Sequence, residues 1–251
     1  MYAELESKQA FILHTRAFKE NQLIIEFLVE GEGRLSIIAS KGGKKNSART
    51  ALLQPFRPLT IKYKLGRGLH SLKSVELNSE SADIRLKSKS LFCGFYLNEI
   101  LCRLCKSDAQ YDELFPLYNY ALSHLQHSSE REVDSYTPMY LEAILRQFEY
   151  RLLVMLGYGI SFDYDLHSDA DIKANKYYEL LAGSGFVFST TPQRAIIGSD
   201  LIDIDVFLNT DLEIEKLSAH KLKLAKLILR ACLHRHLGDK PLKSRELFRK
   251  A

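Results

Sequence analysis

The segment of this 251-residue chain whose side chains most clearly suggest a binding function is a run of cations without any carboxylate. Residues 34 to 75 contain no Asp or Glu, and so dense a run of one charge repels itself unless it faces a polyanion. Neutralising phosphates releases condensed counterions and makes such an association favourable. We therefore predict a DNA-binding surface formed by the ten cations of this segment: Arg34, Lys41, Lys44, Lys45, Arg49, Arg57, Lys62, Lys64, Arg67 and Lys73.

The remaining charges sharpen this interpretation, because the formal net charge of +4 hides three zones. Residues 76–215 carry 11 basic and 23 acidic side chains, whereas residues 216–251 carry 11 basic and 2 acidic ones. A solvated helix face explains part of any such imbalance. A scaffold whose basic front binds acidic proteins instead of DNA is therefore an alternative.

Four aromatic rings alternate with these cations and could stack against unpaired bases: Phe18, Phe56, Tyr63 and His70. For Phe56, which lies between Pro55 and Pro58, closing one end of a barrel is the favoured role. Tyr63 stands between two lysines in an alternating strand, so we expect it to face the core.

Acidic residues in the middle of the chain raise a second kind of chemistry. Asp163, Asp165, Asp169 and Asp171 alternate as in a calcium loop, but the glycine and the bidentate glutamate of an EF-hand are absent. Paired carboxylates also serve metal-dependent nucleases, which is the rival functional hypothesis. No nucleophile and base have catalytic spacing, and we predict no catalytic residue, no metal and no cofactor.

One cation of the later segment differs from the others because its neighbours are apolar. Arg146 is flanked by Leu145 and Phe148 in a densely apolar helical pattern. Such a groove with one guanidinium could hold a peptide that ends in an apolar residue and a free carboxylate. An intramolecular pair with Glu142 or Glu149 is the alternative, and from the residues alone it is favoured.

The elements that must position these residues follow from the hydrophobic pattern. Five short alternating segments separated by glycine turns predict a barrel of the OB type over residues 1–79. Helical periodicity then predicts a mainly helical domain over residues 80–251, with a small mixed subdomain at about 160–215. The expected fold class is thus α+β. No apolar run reaches the roughly 20 residues of a membrane span, and the start of the chain does not resemble a signal peptide, so we expect a cytoplasmic protein.

Several strings of residues together resemble the RecO family of bacterial recombination mediators. The resemblance extends over nearly the whole chain and is carried by AFILHTRAFKE (10–20), GRLSIIA (33–39), LLQPFRPL (52–59), GRG and SVE (66–76), YLNEIL (96–101), ELFPLY (113–118), LRQFE (145–149), LGYG (156–159) and KPLKSRELF (240–248).

The resemblance implies a non-enzymatic DNA repair protein with an N-terminal OB domain and a C-terminal helical domain. It implies binding of single- and double-stranded DNA, annealing of complementary strands and, with the partner RecR, loading of RecA onto DNA coated by single-stranded DNA-binding protein (SSB). It also implies that the acidic SSB tail docks near Arg146, the arginine of the LRxFE motif, and that the protein joins the nucleoid during repair. Many relatives carry a four-cysteine zinc module after LGYG, which this chain lacks, so we expect no zinc.

Overall fold

The computed structural model describes residues 6–40, 51–66, 68–130, 137–181, 183–211 and 217–248. Two compact units divide the chain. The first consists of Met1–Arg131 with Pro241–Ala251, and the second is Glu132–Lys240. The predicted domain limit between residues 79 and 80 rests on the sequence pattern and stays a prediction.

The first unit begins with a closed five-stranded barrel in the order β1-β2-β3-β5-β4. Side-chain burial alternates along two of the strands, Gly33–Ser40 and Leu59–Lys64, and positive-φ glycines such as Gly31 and Gly33 make the turn before the first of them. The predicted OB-like barrel and the α+β class are therefore confirmed. The strands are β1 (Lys8–Phe18), β2 (Gln22–Val29), β3 (Gly33–Ser40), β4 (Leu59–Lys64) and β5 (His70–Leu77).

The barrel interior is filled by apolar side chains from all five strands. On β3, Leu35, Ile37 and Ala39 point inward, while the residues between them are half-buried on the outer face. Tyr63 of β4 packs against the same core, as predicted from its position between two lysines. Phe11, Ile24 and Leu28 are buried although they lie outside this core cluster, so part of the outer face of β1 and β2 is covered.

Two helices complete the barrel side of the first unit, α1 (Ser88–Leu104) and α2 (Leu114–Glu130). A β-bulge at Leu13 interrupts the pairing of β1 with β2, and its carbonyl would be buried without a ladder partner. Asn98 of α1 donates its side-chain amide to that carbonyl at 3.0 Å, and Tyr118 of α2 donates its hydroxyl to Asn98 at 2.5 Å. The polar bridge therefore fixes both helices to the bulge.

Two glycines mark close approaches between the barrel and these helices. Gly33 has φ +74°, and a Cβ there would lie 2.3 Å from the carbonyl oxygen of Ala109, in the connection between α1 and α2. Gly94 of α1 leaves space for the ring of Phe56, which a Cβ would approach to 2.8 Å. Phe56 is thus buried against α1, with Phe95 as its edge-to-face partner at 5.2 Å. It lies outside the barrel's core cluster, and the expected role of Phe56 in closing one end of the barrel stays a prediction.

A short helix from the far end of the sequence returns to the first unit. This helix, α6 (Ser244–Leu247), is preceded by Lys243. The carboxylate of Glu99 accepts hydrogen bonds from the Ser244 amide at 2.8 Å, the Ser244 hydroxyl at 2.7 Å and the Lys243 amide at 3.0 Å. These bonds outweigh burial and lower the pKa of Glu99.

The described part of the second unit combines three α-helices with a small sheet in the order β10-β8-β9-β6-β7. No described helix of the chain has the length and apolarity needed to cross a bilayer. The helix Gly198–Asn209 lies in the segment that was predicted only as mixed. The elements are α3 (Thr137–Met155), β6 (Tyr164–Asp165), β7 (Ala170–Asp171), β8 (Tyr177–Leu181), β9 (Gly185–Phe188), β10 (Ile196–Ile197), α4 (Gly198–Asn209) and α5 (Ala219–Leu237).

Candidate nucleic-acid interface

The strand registers place two exposed cations in one row on the outer face of the barrel. Arg16 pairs with Ile24, Ile24 with Ile38, Ile38 with Ser71, and Ser71 with Lys64. The row therefore crosses all five strands, with Arg16 at one end and Lys64 at the other. Three chain segments leave the barrel beside this row: the β1–β2 turn, the exit of β3 after Ser40, and the β4–β5 turn.

Further exposed cations lie close to the row. Lys19 lies in the β1–β2 turn, and Lys62 lies two residues from Lys64 on β4. Lys73 is the extra residue of a bulge in β5, since Lys62 pairs with Ser74 while Tyr63 pairs with Leu72. We call these five exposed side chains the basic rim: Arg16, Lys19, Lys62, Lys64 and Lys73.

Electrostatically, the three lysines of β4 and β5 are available to an external anion. Within the described parts of the chain, no carboxylate forms an ion pair with Lys62, Lys64 or Lys73. Ammonium groups on flexible stems contact phosphate oxygens without requiring a particular base. The rim is therefore suited to a sugar-phosphate chain of any sequence.

Two of the ten predicted cations are not among the exposed cations of the rim. Arg34 is only partly exposed, and its guanidinium pairs with Glu26 of the neighbouring strand at 3.1 Å. Its backbone carbonyl accepts from the Asp108 amide at 2.9 Å, so the connection between α1 and α2 covers this part of β3. Arg57 is half-buried and donates to the carbonyl of Ala51 at 3.5 Å. Neither residue joins the basic rim.

The other five predicted cations lie outside the described residues, and their roles stay predictions. They are Lys41, Lys44, Lys45, Arg49 and Arg67.

Arg16 and Lys19 are rim residues that the acid-free window missed. The window begins at residue 34, and four glutamates separate these two cations from it along the sequence: Glu20, Glu26, Glu30 and Glu32. The signal was nevertheless present, because a β1–β2 hairpin in an OB-type barrel brings its turn to the ligand-binding loops.

The aromatic candidates contribute unequally to the exposed surface. Phe18 is half-buried beside the rim, with the Lys19 ammonium 5.5 Å from its ring centroid. His70 is buried. Tyr63 packs against the barrel core, and its own burial together with the Glu32 carboxylate raises the pKa of Tyr63 to about 12. Only Phe18 is therefore placed where a base could approach its ring.

In the second unit, the three residues predicted to hold the SSB tail are buried. Arg146 is 2% exposed, and Leu145 and Phe148 also belong to the core. The Arg146 guanidinium lies 2.6 Å from a carboxylate oxygen of Glu149 and 3.0 Å from one of Glu142. This geometry is the intramolecular alternative, and the role of these residues toward the tail stays a prediction.

Glu142 extends the arrangement to a fourth residue. Its second oxygen lies 2.6 Å from the Lys226 ammonium of α5. We call Glu142, Arg146, Glu149 and Lys226 the charged cluster; its two cations and two carboxylates balance. A free peptide carboxylate would have to compete with Glu149 for the same guanidinium.

Three acidic residues of the second unit are engaged in structural contacts. Asp165 is buried and accepts hydrogen bonds from the Ser168 hydroxyl at 2.6 Å and the amides of His167 and Phe188. Burial alone would raise the pKa of Asp165, but these hydrogen bonds outweigh it and lower the pKa. Asp200 and Asp203 of α4 both pair with Lys221 of α5.

Across the described ranges, no group of three potential ligands has the geometry of a metal site. Cys102 and Cys105 are free thiols, and burial raises the pKa of each to about 12, which makes the reactive thiolate scarce at neutral pH. Both cysteines of the CxxC spacing therefore pack at the C-terminal end of α1.

Comparison with known proteins gives a consistent result over the whole chain. Residues 3–80 match the family model described as "Recombination protein O N terminal", and residues 86–246 match "Recombination protein O C terminal". The chain is 34% identical over 240 residues to a DNA repair protein RecO of Pseudoalteromonas translucida, covering 96% of both chains. It is 34% identical over 242 residues to that of Pasteurella multocida, covering 96% of this chain and 93% of the relative. With the protein of Idiomarina loihiensis the identity is 33% over 245 residues, or 97% of each chain.

Proposed function

The chain belongs to the RecO family of DNA repair proteins, and from this membership we propose that it binds DNA through the basic rim and anneals complementary strands. It binds single- and double-stranded DNA without sequence preference and, together with RecR, helps load RecA onto SSB-coated DNA. It acts without making or breaking covalent bonds. Its place is the cytoplasm, with association to the nucleoid during repair.

The observation that carries this proposal is the row of paired residues from Arg16 to Lys64, with exposed cations around it. Cations on one face of a barrel attract a polyanion in one orientation, whereas scattered cations would not. Lys62, Lys64 and Lys73 supply a continuous part of this face.

Annealing follows from charge neutralisation on such a surface. Two DNA strands repel each other because each carries one phosphate charge per nucleotide. A protein that binds both strands lowers this repulsion and raises their local concentration, so pairing accelerates although no bond is catalysed.

The recruitment of SSB rests on the family and on the apolar environment of Arg146. A tail that ends in Phe with a free carboxylate combines the apolar and charged groups that Leu145, Phe148 and Arg146 could receive. Because Arg146 is engaged with Glu149, binding of the tail in this place would require exchange of one carboxylate for another.

The salt dependence of DNA binding tests the DNA part of the proposal. With about five phosphates neutralised on a single strand, log K should fall with a slope of about 3.5 against log salt. Replacing Lys62, Lys64 and Lys73 together by Glu should weaken binding of all sequences alike and reduce the slope by about 2. Anisotropy titration of a labelled oligonucleotide at several salt concentrations measures both quantities.

A matched control uses exposed lysines of the same unit that lie away from the rim. Lys87→Glu with Lys89→Glu places two exposed charges of the opposite sign beside α1, and it should leave the slope nearly unchanged. If both variants lost DNA affinity equally, the loss would come from the overall charge of the protein and not from the rim. Wild-type binding in the folded triple variant would exclude the rim lysines.

A further inference from the structure

The β4–β5 turn exposes an apolar side chain next to the basic rim. Leu65 follows Lys64, and 74% of its surface is accessible, more than for any other large apolar side chain among the described residues. The next in order, Leu227 of α5, is 57% exposed. Isolated exposed leucines are common on protein surfaces, so exposure alone assigns no role.

Leu65 differs from an isolated surface leucine because hydrogen bonds hold the turn that carries it. The amide of Gly66 donates to Nδ1 of His70 at 3.3 Å, and Nε2 of His70 lies 2.7 Å from a carboxylate oxygen of Asp108. Because Nδ1 accepts this hydrogen bond, the hydrogen of the imidazole lies on Nε2, which donates a hydrogen bond to Asp108. His70 is 6% exposed, so this relay lies beneath the turn and supports it from the inside.

Asp108 is itself held in place from two directions. Its amide donates to the carbonyl of Arg34 at 2.9 Å, and the Ser107 hydroxyl donates to its second carboxylate oxygen at 3.0 Å. The hydrogen bond with His70 lowers the pKa of Asp108 and keeps the carboxylate charged as an acceptor. The turn is thereby tied to β3 and to the connection between α1 and α2.

The glycine of the turn shows how tightly it is folded. A Cβ at Gly66 would lie 2.2 Å from the carbonyl oxygen of Leu69, so only glycine is accommodated. Gly68 has φ +81°, a conformation that other residues rarely adopt. Leu65 is therefore presented by a constrained turn, and little ordering remains to be done when a ligand covers it.

We propose that Leu65 is a base-contacting residue of the nucleic-acid interface and that His70 is the positioning residue which fixes it. The inference rests on the proposed DNA-binding function and adds the part of the nucleotide that is recognised. While the rim cations hold phosphates, the Leu65 side chain covers the face of an unpaired base. Every base has such a face, so the contact is independent of sequence. In a duplex the base faces are stacked on each other, so the contact favours single strands.

The variant Leu65→Ser tests the contact in the full chain. The dissociation constant for a labelled single-stranded oligonucleotide should rise about fivefold, since the lost apolar contact is a fraction of a buried leucine. The dissociation constant for a duplex of the same length should stay within about 1.5-fold of the wild-type value, because phosphate contacts are retained. The salt slope should also be unchanged, and Leu65→Met should restore single-strand affinity.

Leu227→Ser is the matched control, since it removes the next most exposed leucine from a helix of the other unit. It should leave both affinities unchanged. His70→Ala combined with Leu65→Ser tests the positioning role, because the effects of the two changes on single-strand affinity should be less than additive if His70 acts through Leu65.

Three results would overturn the inference. They are unchanged single-strand affinity in Leu65→Ser, equal losses for single strands and duplexes, and full additivity with His70→Ala, which would remove the positioning role. If wild-type protein itself shows no salt-dependent binding to single strands, the proposed function fails instead. The wild-type titration therefore separates the two failures.

Discussion

Removing the Arg146 side chain should destabilise the second unit strongly, whether or not the residue also binds a ligand. In Arg146→Ala, the Glu149 carboxylate, which is 0% exposed, loses the guanidinium that lies 2.6 Å away. Breaking a buried ion pair by deleting one partner costs about 3–5 kcal/mol, because an uncompensated charge is left inside the protein. Domains are typically stable by only about 5–15 kcal/mol, so this loss is a large fraction of the total.

Hydrogen exchange measured by mass spectrometry is the suitable assay, because it reports on α3 and α5 separately from the barrel. The exchange rate of the α3 amides that exchange slowest in the wild type should rise roughly 100-fold or more in the variant. This rise corresponds to a loss of about 3 kcal/mol in the free energy of unfolding. Barrel amides should be unaffected. The double variant Arg146→Met with Glu149→Gln should recover part of the loss, because it leaves no orphaned charge.

Arg230→Ala is the control, since Arg230 is an exposed cation on α5 and its removal should change stability by less than about 0.5 kcal/mol. Unchanged exchange in Arg146→Ala would refute the reasoning, because the pair would then not be buried in solution. The arginine would in that case be available to an external carboxylate. Loss of SSB-tail binding is evidence of direct contact only in a variant whose α3 amides remain protected.

Three further predictions concern other described contacts. Gly33→Ala should lower the unfolding free energy in urea by about 2 kcal/mol more than Gly31→Ala, because both have positive φ but only Gly33 faces a carbonyl at 2.3 Å; equal losses would contradict the close approach. Asp165→Asn should destabilise the second unit at neutral pH, because the pKa of Asp165 is lowered in the folded protein. The higher unfolding free energy of the wild type should be complete above the unfolded pKa of about 4. It should disappear as the pH falls through the folded pKa. A wild-type advantage that persists in acid would exclude this carboxylate as its source. Glu99→Gln should weaken the hold on Ser244 by about 1–2 kcal/mol, seen as faster amide exchange in residues 243–248, and unaltered exchange would show that other contacts suffice.

The barrel was predictable because its signals are local. Burial alternates over at least six residues in β3 and nearly so in β4, so the inward side chains of these two strands follow from the period of two. The same local rule placed Tyr63 inside. Helices α1, α3 and α5 were equally accessible from their apolar periodicity.

The charges of the candidate site could be predicted only in part, because pairing across strands is not local. Glu26 lies outside the acid-free window, yet the antiparallel register of β2 and β3 brings it beside Arg34. Register likewise brings Arg16 into one row with Lys64. Helix α4 was missed because it begins without a side-chain cap directly after Ile196–Ile197, which themselves form a strand.

The return of α6 to α1 makes the first unit discontinuous in sequence, with the whole second unit inserted into it. During synthesis, the hydrogen bonds of Glu99 with Lys243 and Ser244 can therefore form only after residues 243–248 have left the ribosome. The barrel strands emerge long before that point. The insertion also alters what a protease achieves. A single cleavage within residues 131–136 leaves the inserted unit covalently attached through the bond between residues 240 and 241, so its release requires a second cut.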